Sequence, residues 1–159
     1  MDIGTVTSQG HREEIAAGLS KILADTYNLY HQTHRFHWHI EGPTLQTLDL
    51  IFLEQYGEVR PAVDAIATRI RALGFPTPDA YDKLAILSAI WDGNGLPDQD
   101  RMLQLLADGH ETVARTARAV FKLAAQEQDE QTCELMLQRM QIHDKTAWML
   151  RSLIAWRDS

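Results

Sequence analysis

Residues 44–74 read TLQTLDLIFLEQYGEVRPAVDAIATRIRALG. Leu45, Leu48, Phe52, Tyr56, Val59, Val63, Ile66, Ile70 and Leu73 recur at steps of three and four. With 3.6 residues to a turn, this spacing lays an apolar stripe along one side of a helix about eight turns long. A strand would alternate with period two, and no segment of the chain does so. Pro61 lies inside the stripe. It removes one backbone donor and crowds the carbonyl of Gly57, which predicts a bend near 57–61.

Breaks on either side isolate this helix. Gly42-Pro43 precedes it, and Gly74-Phe75-Pro76-Thr77-Pro78 follows. Gly93, Gly95 and Pro97 make a further break. Three more long segments remain, each nearly free of Gly and Pro. The first repeats at Leu19, Leu23, Tyr27, Tyr30, His34 and His37. The next repeats at Met102, Leu106, Val113, Ala117, Val120 and Ala124, and the last at Met136, Met140, His143, Ala147, Leu150 and Ile154. Four amphipathic helices predict an all-α, antiparallel four-helix bundle. A short extra helix near 80–90 is expected between the second and third. Residues 1–159 read as one domain, with 1–10 as a flexible tail.

The composition suits that reading. The chain has 159 residues, 45% hydrophobic and 23% charged, with formal net charge −7. That is enough apolar material for a core, and it excludes wholesale disorder. No apolar run approaches the roughly 20 residues that span a bilayer. The opening MDIGTVTSQG holds no Lys or Arg and no apolar centre, so no signal peptide is expected. Cys133 is the one cysteine, which excludes an intrachain disulfide and points to a reducing, cytoplasmic setting. The acidic balance disfavours general nucleic-acid binding and favours cations.

No Gly-rich phosphate loop, CxxC pair or GxSxG elbow is present. The chemistry concentrates in His31-Gln-Thr-His34-Arg-Phe-His37-Trp38-His39-Ile-Glu41-Gly42-Pro43. His34 and His37 are three apart and share a helix face, where two imidazoles can converge on a transition metal. Hydrogen-bonded histidines at a helix end, without metal, fit the spacing equally well. Asp49 and Asp64 lie on one flank of the second helix, 15 residues and roughly 22 Å apart. One chain therefore cannot set both on one ion. Two copies about a two-fold axis can. Two solvated surface aspartates are the simpler alternative.

Leu23-Ala-Asp-Thr-Tyr-Asn-Leu-Tyr30, Thr33-His-Arg-Phe-His-Trp38, Glu41-Gly-Pro43 and Asp64-Ala-Ile-Ala-Thr-Arg-Ile-Arg-Ala-Leu-Gly74 closely resemble the Dps family, the miniferritins known as DNA-binding proteins from starved cells. Asp129-Glu-Gln-Thr132 and His143-Asp-Lys-Thr-Ala-Trp-Met-Leu150 continue the match, which runs in order from about residue 15 to 155. The resemblance implies a ferritin-like bundle that assembles as a hollow homo-oligomer of twelve. It implies iron as the metal, bound as Fe(II) between two subunits, oxidised by peroxide or oxygen and stored as ferric mineral. Such a ferroxidase shell protects against oxidative damage.

The family pattern maps onto this chain in part. The His before Trp is His37, and a second His falls on Asp49. An acidic ligand falls on Leu53, with Glu54 adjacent but turned about 100° away. The partner's acid is Asp64, and the bridging Glu falls on Thr68. So His37, Asp49 and Asp64 are the expected metal ligands. His34, His39, Glu41, Glu54 and Thr68 are candidates for supporting positions. Two carboxylates are missing, and Fe(III) prefers carboxylate oxygen. A non-standard ferroxidase centre is therefore expected, holding one ion per site.

In the family, Trp38 and Trp148 match aromatic positions near the site, where such rings quench radicals. Packing is the alternative role for both. Asp129 and Glu134 fall near the family's acidic ion-entry pore. His143 reads as a satisfied core histidine. The family's DNA binding often rests on a Lys-rich tail, and the first basic residue here is Arg12. Weak or absent DNA binding is therefore expected. Three rival readings stand beside the ferroxidase shell: a cage without oxidation, a cage holding zinc at His37, Asp49 and Asp64, and a DNA-coating protein.

Overall fold

The apolar stripes become four helices of 28 or 29 residues: α1 (Gln9–His37), α2 (Thr44–Ala72), α3 (Gln99–Gln126) and α4 (Glu130–Asp158). The computed structural model describes residues 9–78 and 95–158, and all regular structure among them is helical. The short helix expected near 80–90 lies outside the described residues. So does most of the expected tail. Its last two residues are helical instead, because α1 already begins at Gln9. No Pro interrupts that helix, and Gly18 is its only glycine beyond Gly10.

Cross-helix contacts define the register. Tyr30 stacks on Phe52, and His37 meets Asp49, so α1 and α2 run antiparallel. His11 pairs with Glu127 at 2.6 Å and Gly18 abuts Val120, which sets α1 antiparallel to α3. Arg69 reaches Asp129, and Glu58 reaches Arg139, so α2 and α4 are antiparallel too. It follows that α2 and α3 are parallel. The Gln99 side chain donates to the Glu41 carbonyl at 3.0 Å, so α3 starts at the end where α1 turns into α2. Leu73 and Asp98 therefore lie at opposite ends of the bundle, about 42 Å apart.

Local signals set the boundaries. At the end of α2, Gly74 adopts φ +97°, and the Phe75 amide returns to the Ile70 carbonyl at 3.3 Å. That left-handed cap favours glycine. Asp98 caps α3 by accepting from the Arg101 amide at 2.8 Å. Asp129 caps α4 by accepting from the Thr132 amide at 3.1 Å. α2 continues through Pro61, which sits on its exposed side.

The core contains Leu19, Ile22, Leu29, Phe36, Leu48, Ile66, Ile70, Leu103, Leu106 and Met136, all fully buried. On α3 the buried face coincides with the stripe read from sequence. On α1 it is rotated. Leu19, Ile22, Leu29 and Phe36 face the core, whereas Tyr27 is exposed and Tyr30, His34 and His37 are half-buried. The α1 stripe mixes a core row with an aromatic row beside α2. No described helix is long and apolar enough to cross a membrane.

Candidate metal centre

The turn between α1 and α2 brings two ends of helix together. Past His37 the Trp38 amide still reaches the His34 carbonyl at 3.3 Å, and the Ile40 amide reaches the Phe36 carbonyl at 3.1 Å. Ile40 is buried and anchors the turn, and Gly42 takes the left-handed φ of +79° that admits it to α2. One turn into α2, the Asp49 carboxylate faces back. His37 Nε2 and Asp49 Oδ1 are in direct contact. The other ring nitrogen, Nδ1, is buried without a partner.

This pair is where the structure brings two of the expected ligand residues together. The two partners offer an imidazole nitrogen and a carboxylate oxygen, both donor types for a divalent cation. Phe52 fixes the ring: His37 stacks on it at 5.4 Å and 18°. His34 stacks on the same ring at 4.5 Å and 21°, and Tyr30 at 5.6 Å and 27°. Trp38 covers His34 at 4.2 Å and is itself 63% exposed. His34 is thus held between two aromatic rings. His39 and Glu41 are exposed on the turn.

The remaining expected residues stand apart from the pair. Leu53 projects outward, 62% exposed, and offers no ligand atom. Glu54 lies on the α4 side of α2, where it lines a cavity of about 320 Å³ with Glu58, His110 and Lys145. Asp64 and Thr68 are exposed and border a groove of about 450 Å³ with Arg69 and Glu134. Asp129 is 6% exposed, and its carboxylate receives Arg69 at 2.7 Å. Trp148 is exposed on α4. Among the described residues no three of His, Cys, Asp and Glu gather in one chain as a metal cluster. His37 and Asp49 therefore present two donors, and any third acid has to come from elsewhere.

Sequence reading missed Phe52 as the platform of the site, although its spacing from Asp49 (one turn) placed it there. It also missed His110, which occupies the α3 stripe between Leu106 and Val113 and hydrogen-bonds His143 in the core. His143 is the satisfied core histidine expected.

The chain matches the ferritin-like domain over residues 16–156. A low temperature-induced protein of Nostoc is 31% identical over 156 residues, 97% of this chain and 86% of that protein. DNA protection during starvation protein 2 of Bacillus anthracis is 28% identical, covering 89% of this chain and 97% of that protein. Antigen TpF1 of Treponema pallidum superposes with a TM-score of 0.85 at 25% identity, covering 93% of this chain and 96% of that one. The Dps protein of Vibrio cholerae, described as one of the ferritin-like diiron-carboxylate proteins, superposes with a TM-score of 0.82 at 25% identity, covering 93% of each chain. The four-helix bundle, its His-Trp turn and these likenesses converge: the chain belongs to the ferritin-like family, as a Dps-type member of it.

Proposed function

We propose that the chain assembles into a twelve-subunit shell that takes up and stores iron, with Fe(II) entering sites shared across two-fold interfaces. Each site uses His37 and Asp49 of one subunit and Asp64 of the partner subunit. The observation that carries this is the pairing of His37 with Asp49 while Asp64 lies four turns further along the same helix. An isologous contact sets the two ends of α2 against each other, which supplies the missing acid twice. The exposed row of Tyr27, Trp38, Leu53 and Tyr56 gives the α1–α2 face the apolar surface that such a contact buries.

The chemistry is oxidation of stored Fe(II). Two Fe(II) each give one electron to hydrogen peroxide, which takes up two protons and leaves as two waters. Coupled oxidation needs a bridging carboxylate between two ions, and Thr68 stands where the resemblance expects one. Two dications with little anionic charge between them repel strongly. Each site therefore binds one ion tightly and oxidises slowly. Strong DNA compaction is no part of this reading, because 15 Lys and Arg are dispersed among 22 Asp and Glu.

An anaerobic Fe(II) titration followed by peroxide, monitored by absorbance, tests the reading. It predicts one tight Fe(II) per site and slow ferric growth. No tight Fe(II) uptake, or rapid oxidation of two per site, contradicts it.

A further inference from the structure

The most polar part of the core takes no part in the metal centre. His110 of α3 and His143 of α4 are 1% and 3% exposed, and their Nδ1 atoms lie 2.9 Å apart. Arg139 Nη2 lies 2.9 Å from His143 Nε2, and Arg139 Nη1 donates to Glu58 of α2 at 2.7 Å. His110 Nε2 lies 3.3 Å from the Gln55 amide, also of α2. The chain of contacts leaves α2, crosses α4 and α3, and returns to α2.

The direction of every hydrogen bond in it follows from one residue. Arg139 has only protons to give. His143 Nε2 must therefore accept, so a neutral His143 carries its proton on Nδ1. That proton points at His110 Nδ1, which must accept in turn. His110 then carries its proton on Nε2 and donates to Gln55. The Gln55 amide meets this demand by a half-turn that sets Oε1 against the ring, which also satisfies an oxygen otherwise buried without a partner. No acceptor is left over on either ring. A further proton on His143 sets N–H against the Arg139 N–H. A further proton on His110 sets N–H against the His143 N–H.

We propose that Glu58, Arg139, His143, His110 and Gln55 form an acid-sensitive clasp: protons taken up by the two imidazoles break it and release α2 from α3 and α4. The proposal is independent of the metal centre. The charged groups around the pair are Glu54 and Glu58 from α2 and Arg139 and Lys145 from α4. On α1, which packs on α3, Asp25 is fully buried. Glu58 is already committed to Arg139, whose cation opposes a second positive charge beside it. Burial, and then Arg139, lowers the His110 ring to about 3. Burial, then His110 and Arg139, lowers His143 as well.

The sign follows. Both rings are neutral in the folded chain, and an unfolded chain protonates each near 6.5. The stability they carry is complete above that pH and is lost as pH falls from about 6.5 toward the folded values. With two protons taken up on unfolding, the unfolding equilibrium rises by up to about 100-fold per pH unit in that window.

The test compares the full chain with a His110→Gln/His143→Gln variant by denaturant unfolding between pH 7.5 and 4. Glutamine can accept and donate in the same order and does not titrate. The native chain should show the steep acid loss, and the variant should lack the extra factor of up to about 100-fold per unit. Superimposable pH profiles overturn the proposal. Should the variant fail to fold, hydrogen exchange at the histidine C2 positions, read by mass spectrometry on the native chain, decides. His110 and His143 should keep the neutral-ring exchange rate down to the acid transition, with exposed His31 and His39 as internal references. Titration of either core ring within the folded protein near pH 6.5 overturns the proposal.

Discussion

Asp49 touches Nε2 of His37 across the α1–α2 hairpin, twelve residues away in sequence. The contact joins an imidazole at the end of α1 to a carboxylate near the start of α2. The pair is partly open to solvent, with side chains 24% and 45% exposed. It therefore contributes at most about 1 kcal/mol to folding. Asp49→Ala should leave thermal stability nearly unchanged and weaken Fe(II) binding at least about tenfold. Anaerobic calorimetric titration measures it, and unchanged affinity would remove Asp49 from the ligand set.

Replacing the missing donors should change the stoichiometry. Leu53→Asp and Thr68→Glu supply the two missing acids, and Asp49→His supplies the second imidazole, that a coupled pair of ions requires. Leu53 and Thr68 are both exposed, so the new carboxylates have room. Tight Fe(II) uptake should rise from one to two per site, and peroxide-driven oxidation should accelerate. Stopped-flow absorbance reads both, and an unchanged rate would show that the natural centre is limited by something other than its ligand count.

Gly18 lets α1 approach α3. A Cβ at that position runs into Cγ2 of Val120. Gly18→Ala gains about 1 kcal/mol of helix propensity and costs about 1–3 kcal/mol in overpacking. A net loss is expected from urea unfolding. Combined with Val120→Ala, the same change should become stabilising relative to Val120→Ala alone, and additivity of the two would show that the helices do not meet there.

Asp129 serves two partners at the start of α4. It accepts from the Thr132 amide at 3.1 Å and from Arg69 at 2.7 Å, and Arg69 also donates to the Thr132 hydroxyl at 2.9 Å. Asp129→Ala removes a cap and takes the carboxylate from a largely buried guanidinium, a loss of about 3 kcal/mol. Asp129→Asn keeps the cap and should fall between the two. Equal stability of all three proteins would contradict this role.

The sequence stripes anticipated the helices because period 3.6 survives whatever the helices pack against. The α3 stripe, from Met102 to Ala124, is the buried face itself. The α1 stripe is not, because Tyr27, Tyr30, His34 and His37 are large and evenly spaced but lie beside the core row of Leu19, Ile22, Leu29 and Phe36. Spacing cannot separate two adjacent faces that both carry rings. The pairing of His37 with Asp49 depends on how the Glu41-Gly42-Pro43 turn aligns two helices, and a turn's register is not written in periodicity. Asp129 read as a candidate for the acidic pore, and its commitment to Arg69 became visible only when α2 met α4. His110 was legible in principle, as a titratable side chain at a core position of α3. Its partners come from two other helices, and no local pattern announces them.

The central claim is that each iron site is shared by two subunits, and mixing tests it. His37→Ala and Asp64→Asn chains are each assembled alone, then dissociated and reassembled together in equal amounts. Neither homogeneous assembly should bind Fe(II) tightly. In a mixed dimer one site carries both lesions and the other carries none. Random reassembly should therefore restore about a quarter of the tight sites. Restoration to that level in an anaerobic Fe(II) titration is the predicted result, and no recovery at all would place every ligand within a single chain and contradict the shared site.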